Sequence, residues 1–131
     1  MFLQIIVSTL CLLILDSIWI GFLAKAAYFK AYGNILRLVD GKIDPVWWAV
    51  LVVYVVLVFG VNYYALSYKS EPIKAISEGA IFGLVVYAVY DFTCLSLFKN
   101  WPIYMSLIDC LWGGILCSVT VGVTILCLRL I

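Results

Sequence analysis

A chain of 131 residues that is 67% hydrophobic and only 11% charged is no soluble domain, since such a domain carries about a quarter charged residues. A net charge of +1 with no basic cluster gives no reason to expect nucleic acid as a partner. With no histidine, the commonest zinc ligand and the commonest general base are missing. The composition predicts an all-α protein: a four-helix transmembrane bundle, with one integral membrane domain over 1–131.

The first apolar segment covers about 2–24 and carries Asp16 and Trp19. It lacks a basic n-region and a small-residue cleavage site, so it reads as a retained span and not a signal peptide. In the loop that follows, Tyr28, Tyr32, Ile35 and Leu36 recur at helical spacing between Lys25, Lys30 and Arg37. That spacing predicts a short amphipathic helix on the membrane surface, with a weak point at Gly33–Asn34 and its end at Gly41. The other reading is a solvated basic connector. The second span covers about 46–66; Pro45 opens it, Trp47 and Trp48 anchor it, and Tyr63, Tyr64 and Tyr68 close it. The third covers about 75–98 and the fourth about 102–128, each long enough to cross roughly 30 Å of hydrocarbon.

Lys25, Lys30, Arg37, Lys42 and Lys99 lie in the first and third loops, against Lys69, Lys74 and Arg129 on the other side. This bias predicts cytoplasmic first and third loops and both termini outside.

Three carboxylates demand an explanation. Asp16, Asp91 and Asp109 each cost about 2.5–3.5 kcal/mol at the centre of a lone membrane helix. Asp16 lies eight residues before Ala24, Asp91 seven before Phe98, and Asp109 seven after Pro102. In antiparallel spans all three sit about 10–12 Å below the same surface. Intramembrane acids face a bundle interior or a wet cavity, so one shared polar pocket is expected, lined by Trp19, Tyr87, Tyr90 and Trp112. Three buried carboxylates without a basic partner cannot all stay charged, so the pocket holds protons, a cation or water. Taken singly, each Asp reads equally well as interhelical glue.

Five cysteines, Cys11, Cys94, Cys110, Cys117 and Cys127, all fall in apolar segments without a CxxC and read as packing residues. LDSIWIG (15–21) and IDCLWGG (108–114) share the pattern [LI]-D-x-x-W-x-G, a hint of pseudo-symmetry between the outer spans. Gly79 and Gly83 form a GxxxG suited to close helix approach, within the chain or between copies. Glu78, near a helix end, reads as an N-terminal helix charge.

LDxxWxG, a basic loop leading into P-x-W, GAIFGLVVYAVYDFT-x-L, WP and a closing D-x-x-WG together resemble a bacterial membrane family designated domain of unknown function 2177. The resemblance covers nearly the whole chain. Its most specific piece is GAIFGLVVYAVYDFTCLSLFKNWP (79–102), with IDCLWGG next; the lysine-rich, shortened loops depart from the bacterial pattern. It implies a small four-span protein without an assigned reaction. It places signature polar residues at Asp16, Trp19, Tyr87, Asp91, Thr93, Trp101, Asp109, Trp112 and Gly113, which adds Thr93 to the expected pocket lining, and it implies a genomic association with lipid modification.

The leading functional expectation is a small channel or a proton- or cation-coupled transporter, with Asp16, Asp91 and Asp109 binding the ion. Four spans enclose little pore, so a homo-oligomer is expected to supply one. Nothing resembles a nucleophile activated by a base. The alternatives are a lipid-modifying enzyme or accessory subunit holding Mg²⁺ or Mn²⁺ on its carboxylates, and a scaffold whose acids only pack. The ligands in view are a proton, a cation or a lipid headgroup. The residues assign no metal and leave any cofactor open.

Overall fold

Four helices long and apolar enough to cross a membrane carry the computed structural model, which describes all 131 residues: Phe2–Leu23, Trp47–Tyr68, Pro72–Leu97 and Ile103–Leu130. Each predicted span falls on one of them. The third starts earlier than hydropathy suggests because Pro72 occupies the first helical turn, where its missing N–H leaves no bond unmade.

The first span joins α1 (Phe2–Ile18) to a π-helical turn at Trp19–Leu23. The second joins α3 (Trp47–Gly60) to a π turn at Val61–Ala65 and a 3₁₀ turn at Leu66–Tyr68. The third and fourth are α4 (Pro72–Leu97) and α5 (Ile103–Leu130). Their corner is tight because Asn100 takes the left-handed conformation at φ 60°, which asparagine tolerates better than other side-chain-bearing residues.

α4 and α5 form the closest helix pair, and glycine is the reason. A Cβ on Gly83 would overlap the Gly113 carbonyl oxygen, and one on Gly79 would come to 3.1 Å from that of Cys117. The GxxxG is therefore spent inside the chain, on backbone-to-backbone packing. This contact also sets register. Eight residues on from Gly83 is Asp91; eight back from Gly113 is Met105, next to Ser106. α1 packs on α5, and α3 closes the ring by touching α1 and, through its π turn, α4.

Two apolar layers fill the bundle. Leu12, Leu57 and Leu116, all at most 3% exposed, meet across its middle. Val61, Ala65, Leu66, Ala75, Cys117 and Val121 pack the end away from the acids. The outer surface is lined with exposed Leu, Ile, Val and Phe, as hydrocarbon solvent demands.

The first loop departs from the amphipathic-helix expectation. Its helix, α2, spans only Lys25–Tyr32, and Ile35 and Leu36 lie beyond it. A hairpin follows, pairing β1 (Leu38–Val39) with β2 (Lys42–Ile43), with Leu38 opposite Ile43. Asp40 and Gly41, at φ 50° and 74°, form its turn. Asp-Gly favours two successive positive-φ residues, so Gly41 turns a hairpin instead of ending a helix. Tyr32 is buried against Trp101, so this face of α2 is spent on protein rather than laid on lipid.

Candidate functional site

The register set by Gly83 and Gly113 brings Asp91 on α4 against α5. Its carboxyl lies near the carboxyl of Asp109 and the Ser106 hydroxyl. Asp91 is 0% exposed and Asp109 only 4%. Neither oxygen of Asp91 has a hydrogen-bond partner. The neighbouring Ser106 hydroxyl accepts the Trp101 indole N–H at 3.0 Å. No lysine or arginine is among the groups acting on either carboxyl.

Asp109 is better provided for. The Tyr28 hydroxyl donates to its Oδ1. α2 is thus folded back so that a loop residue caps an intramembrane acid. Burial first, and then this hydrogen bond to Asp109, push the Tyr28 phenol well above the usual tyrosine range. Burial, with Asp109 and Asp91 nearby, raises Tyr32 as well. The Tyr32 hydroxyl is buried and makes no hydrogen bond.

Asp16 belongs to a second set. Tyr54 donates to its Oδ2 at 2.7 Å and the Trp112 indole N–H to its Oδ1 at 3.1 Å. Both oxygens are satisfied, although the residue is 7% exposed and close enough to exert a field on Asp109. Trp112 stacks on Trp19 with centroids 4.4 Å apart and planes 6° from parallel, so the two D-x-x-W motifs meet face to face. Their symmetry is broken in the bonding. Trp112 reaches Asp16, but the Trp19 N–H completes no bond, and Tyr28 takes the place at Asp109.

The three acids therefore occupy one end of one bundle without forming a single cage. Asp91 and Asp109 meet; Asp16 is held beside them by its own donors. Tyr87 lies over Gly113, where a Cβ would strike its ring. Tyr90 is 60% exposed and turns its edge to Trp101 at 6.4 Å. Thr93 is exposed, two residues and so about 200° around α4 from Asp91, and it lines no part of this region. The sequence reading missed Tyr28 and Tyr54 as partners of the acids, and Ser106 as a neighbour of Asp91. Tyr54 had a signal, as the one hydroxyl-bearing residue within WWAVLVVYVVLVFG.

A groove of about 630 Å³ reaches one member of the pair, with Asp109 in its wall beside Tyr28, Tyr32, Tyr87, Tyr90 and Trp101. Beneath the acids lies the Leu12–Leu57–Leu116 layer. A second polar network sits beyond it. Gln4 Nε2 donates to Asn62 Oδ1 at 2.9 Å, Asn62 Nδ2 donates to Ser8 Oγ at 2.9 Å, and Lys69 Nζ donates to Gln4 Oε1 at 2.8 Å. The π turn at Val61–Ala65 carries Asn62 into this network.

Among curated proteins, and among solved structures, none is similar to this chain. A family model described as "Predicted membrane protein (DUF2177)" matches residues 1–126, nearly all of the chain, and its four apolar helices fit that description. The chain belongs to this family of membrane proteins, domain of unknown function 2177.

Proposed function

We propose that this protein is a small carrier that takes a proton or a monovalent cation onto its Asp91–Asp109 pair. The observation that carries the reading is Asp91 itself: fully buried, close to a second carboxyl, and with no hydrogen bond completed at either oxygen. Two carboxylates this close in a low-dielectric interior repel each other, and a proton or cation between them removes the conflict. Interhelical glue accounts for Asp16, which has two donors, and leaves Asp91 unexplained.

The Leu12–Leu57–Leu116 layer favours a carrier over an open channel. A continuous water path through one chain would have to breach three packed leucines. Transport then requires the pair to face the two sides in turn. The pair lies within one chain, so a homo-oligomer is not needed to build it. The divalent-metal reading has less support, because no group of three His, Cys, Asp or Glu side chains is placed to hold an ion. On the loop-charge bias, the groove faces the cytoplasm and both termini lie outside.

The test is flux in proteoliposomes loaded with a pH-sensitive dye. The wild type should dissipate an imposed pH gradient, and Asp91→Asn and Asp109→Asn should each slow it at least tenfold. Asp44→Asn, in an exposed loop, should leave it unchanged. Equal rates in wild type and Asp91→Asn would remove the carrier reading.

A further inference from the structure

The groove beside the pair has a chemistry of its own. Its volume, about 630 Å³, falls in the range of small-molecule sites. Its walls are aromatic, with Tyr32, Tyr87, Tyr90, Phe98 and Trp101 around a single carboxylate, Asp109, and no basic residue among them. Ring faces attract a positive charge, a carboxylate neutralises it, and apolar walls cover whatever carries it.

Two buried polar groups here stand without partners. Tyr32, 6% exposed, lines the groove, and its hydroxyl is fully enclosed. The Asp91 carboxyl, on a residue 0% exposed, is turned toward Asp109, the groove's acidic wall. A carboxyl pair with no basic partner calls for a cation, and Asp109 is the acid of the pair that lines the groove. A small hard metal ion would leave most of the groove unfilled and the rings unused. A larger groove of about 870 Å³, between α1 and α3, presents Trp47, Val50, Leu51, Val55 and Phe59 but no ionisable acid, so it offers a cation nothing.

We infer that the groove binds an organic ammonium ion, its charge against Asp109 and its apolar body among the aromatic walls. The inference rests on the reading of Asp91–Asp109 as a proton- or cation-binding pair and names the ligand class of that site. Binding displaces the shared proton to bulk solvent, so cation and proton compete. The ammonium can belong to a free organic cation or to the headgroup of a membrane lipid.

The test uses the full chain and benzyltriethylammonium as probe. Titration calorimetry in two buffers of different ionisation enthalpy reads both affinity and proton release. Saturable binding with release of a proton is expected, and benzenesulfonate should not bind. Asp109→Asn should weaken binding at least tenfold. Tyr90→Leu, at a half-exposed position that does not hold the fold together, should weaken it several-fold without changing the melting temperature.

Nanodiscs separate the two sources. Probe affinity at least tenfold lower in phosphatidylethanolamine than in phosphatidylglycerol assigns the site to a lipid headgroup; equal affinity assigns it to a free cation. No saturable binding in either lipid, or binding unchanged in both variants, overturns the inference. Infrared detection of a protonated carboxyl that Asp91→Asn abolishes tells the two failures apart. If that signal persists while the probe does not bind, only the ammonium assignment falls; if neither is seen, the pair reading falls as well.

Discussion

The carboxyl of Asp91 lies near the carboxyl of Asp109, yet neither oxygen of Asp91 makes a hydrogen bond. The two are held there by backbone, not by attraction. Gly83 and Gly113 let α4 and α5 touch, and the register of that contact fixes which residues face each other further along.

That dependence makes Gly83 the position where a small change reaches the site. Gly83→Ala should destabilise the protein by about 1–3 kcal/mol, because its methyl group would overlap the Gly113 carbonyl and force the helices apart. Gly21→Ala, where a Cβ meets nothing within 4 Å, should stay within about 0.5 kcal/mol of wild type. Thermal unfolding in detergent compares them; equal melting temperatures would refute the close-contact account.

Asp16 should behave as a structural acid. Removing one donor, by Tyr54→Phe or Trp112→Phe, should cost about 0.6–1.7 kcal/mol. The double variant strands a buried carboxyl without donors, so its cost should exceed the sum of the two. Adding Asp16→Leu to the double variant should recover much of the loss. A strictly additive cycle would show that these two donors do not share the acid.

Tyr28 and Tyr32 should ionise later than exposed tyrosines. Burial raises both, with Asp109 adding to each, so ultraviolet titration should place both among the phenols still protonated above about pH 10, and Tyr28→Phe or Tyr32→Phe should each remove one late-ionising phenol. The sign for stability follows. A phenol raised in the folded state is protonated in both states at neutral pH, and its contribution is intact there. Above about pH 10 the unfolded chain loses its proton first, so folding stability should fall as pH rises. Tyr28→Phe should flatten part of that fall; an unchanged slope would place Tyr28 away from Asp109.

Leu116→Ala should cost about 2–5 kcal/mol and open a cavity between the acid end and the Gln4–Asn62 network. If this layer is the seal, the same variant should raise passive proton leak in liposomes. A destabilised variant with wild-type leak would place the seal elsewhere.

How far sequence reaches is visible residue by residue. The four spans were legible because hydrocarbon tolerates only long apolar helices, and Asp16, Asp91 and Asp109 stood out because their cost there is large. Their common level followed from antiparallel order. Their division did not, since it depends on donors from Tyr54 and Tyr28, one on another span and one on a loop. The π turns at Trp19–Leu23 and Val61–Ala65 left no composition signal, yet they orient Trp19 and Asn62. Asp40–Gly41 did carry a turn signal, which the helical spacing of the preceding tyrosines outweighed. Thr93 entered the expected pocket through the family resemblance, and helical geometry turns it outward.

The most direct test is the infrared carbonyl stretch of a protonated carboxyl, followed across pH on the lipid-reconstituted protein in a buffer free of organic amines. One proton shared by two groups predicts a band that Asp91→Asn or Asp109→Asn each abolishes completely and Asp44→Asn leaves alone. A band that survives either substitution, halves with each, or never forms while the protein stays folded would contradict a shared site.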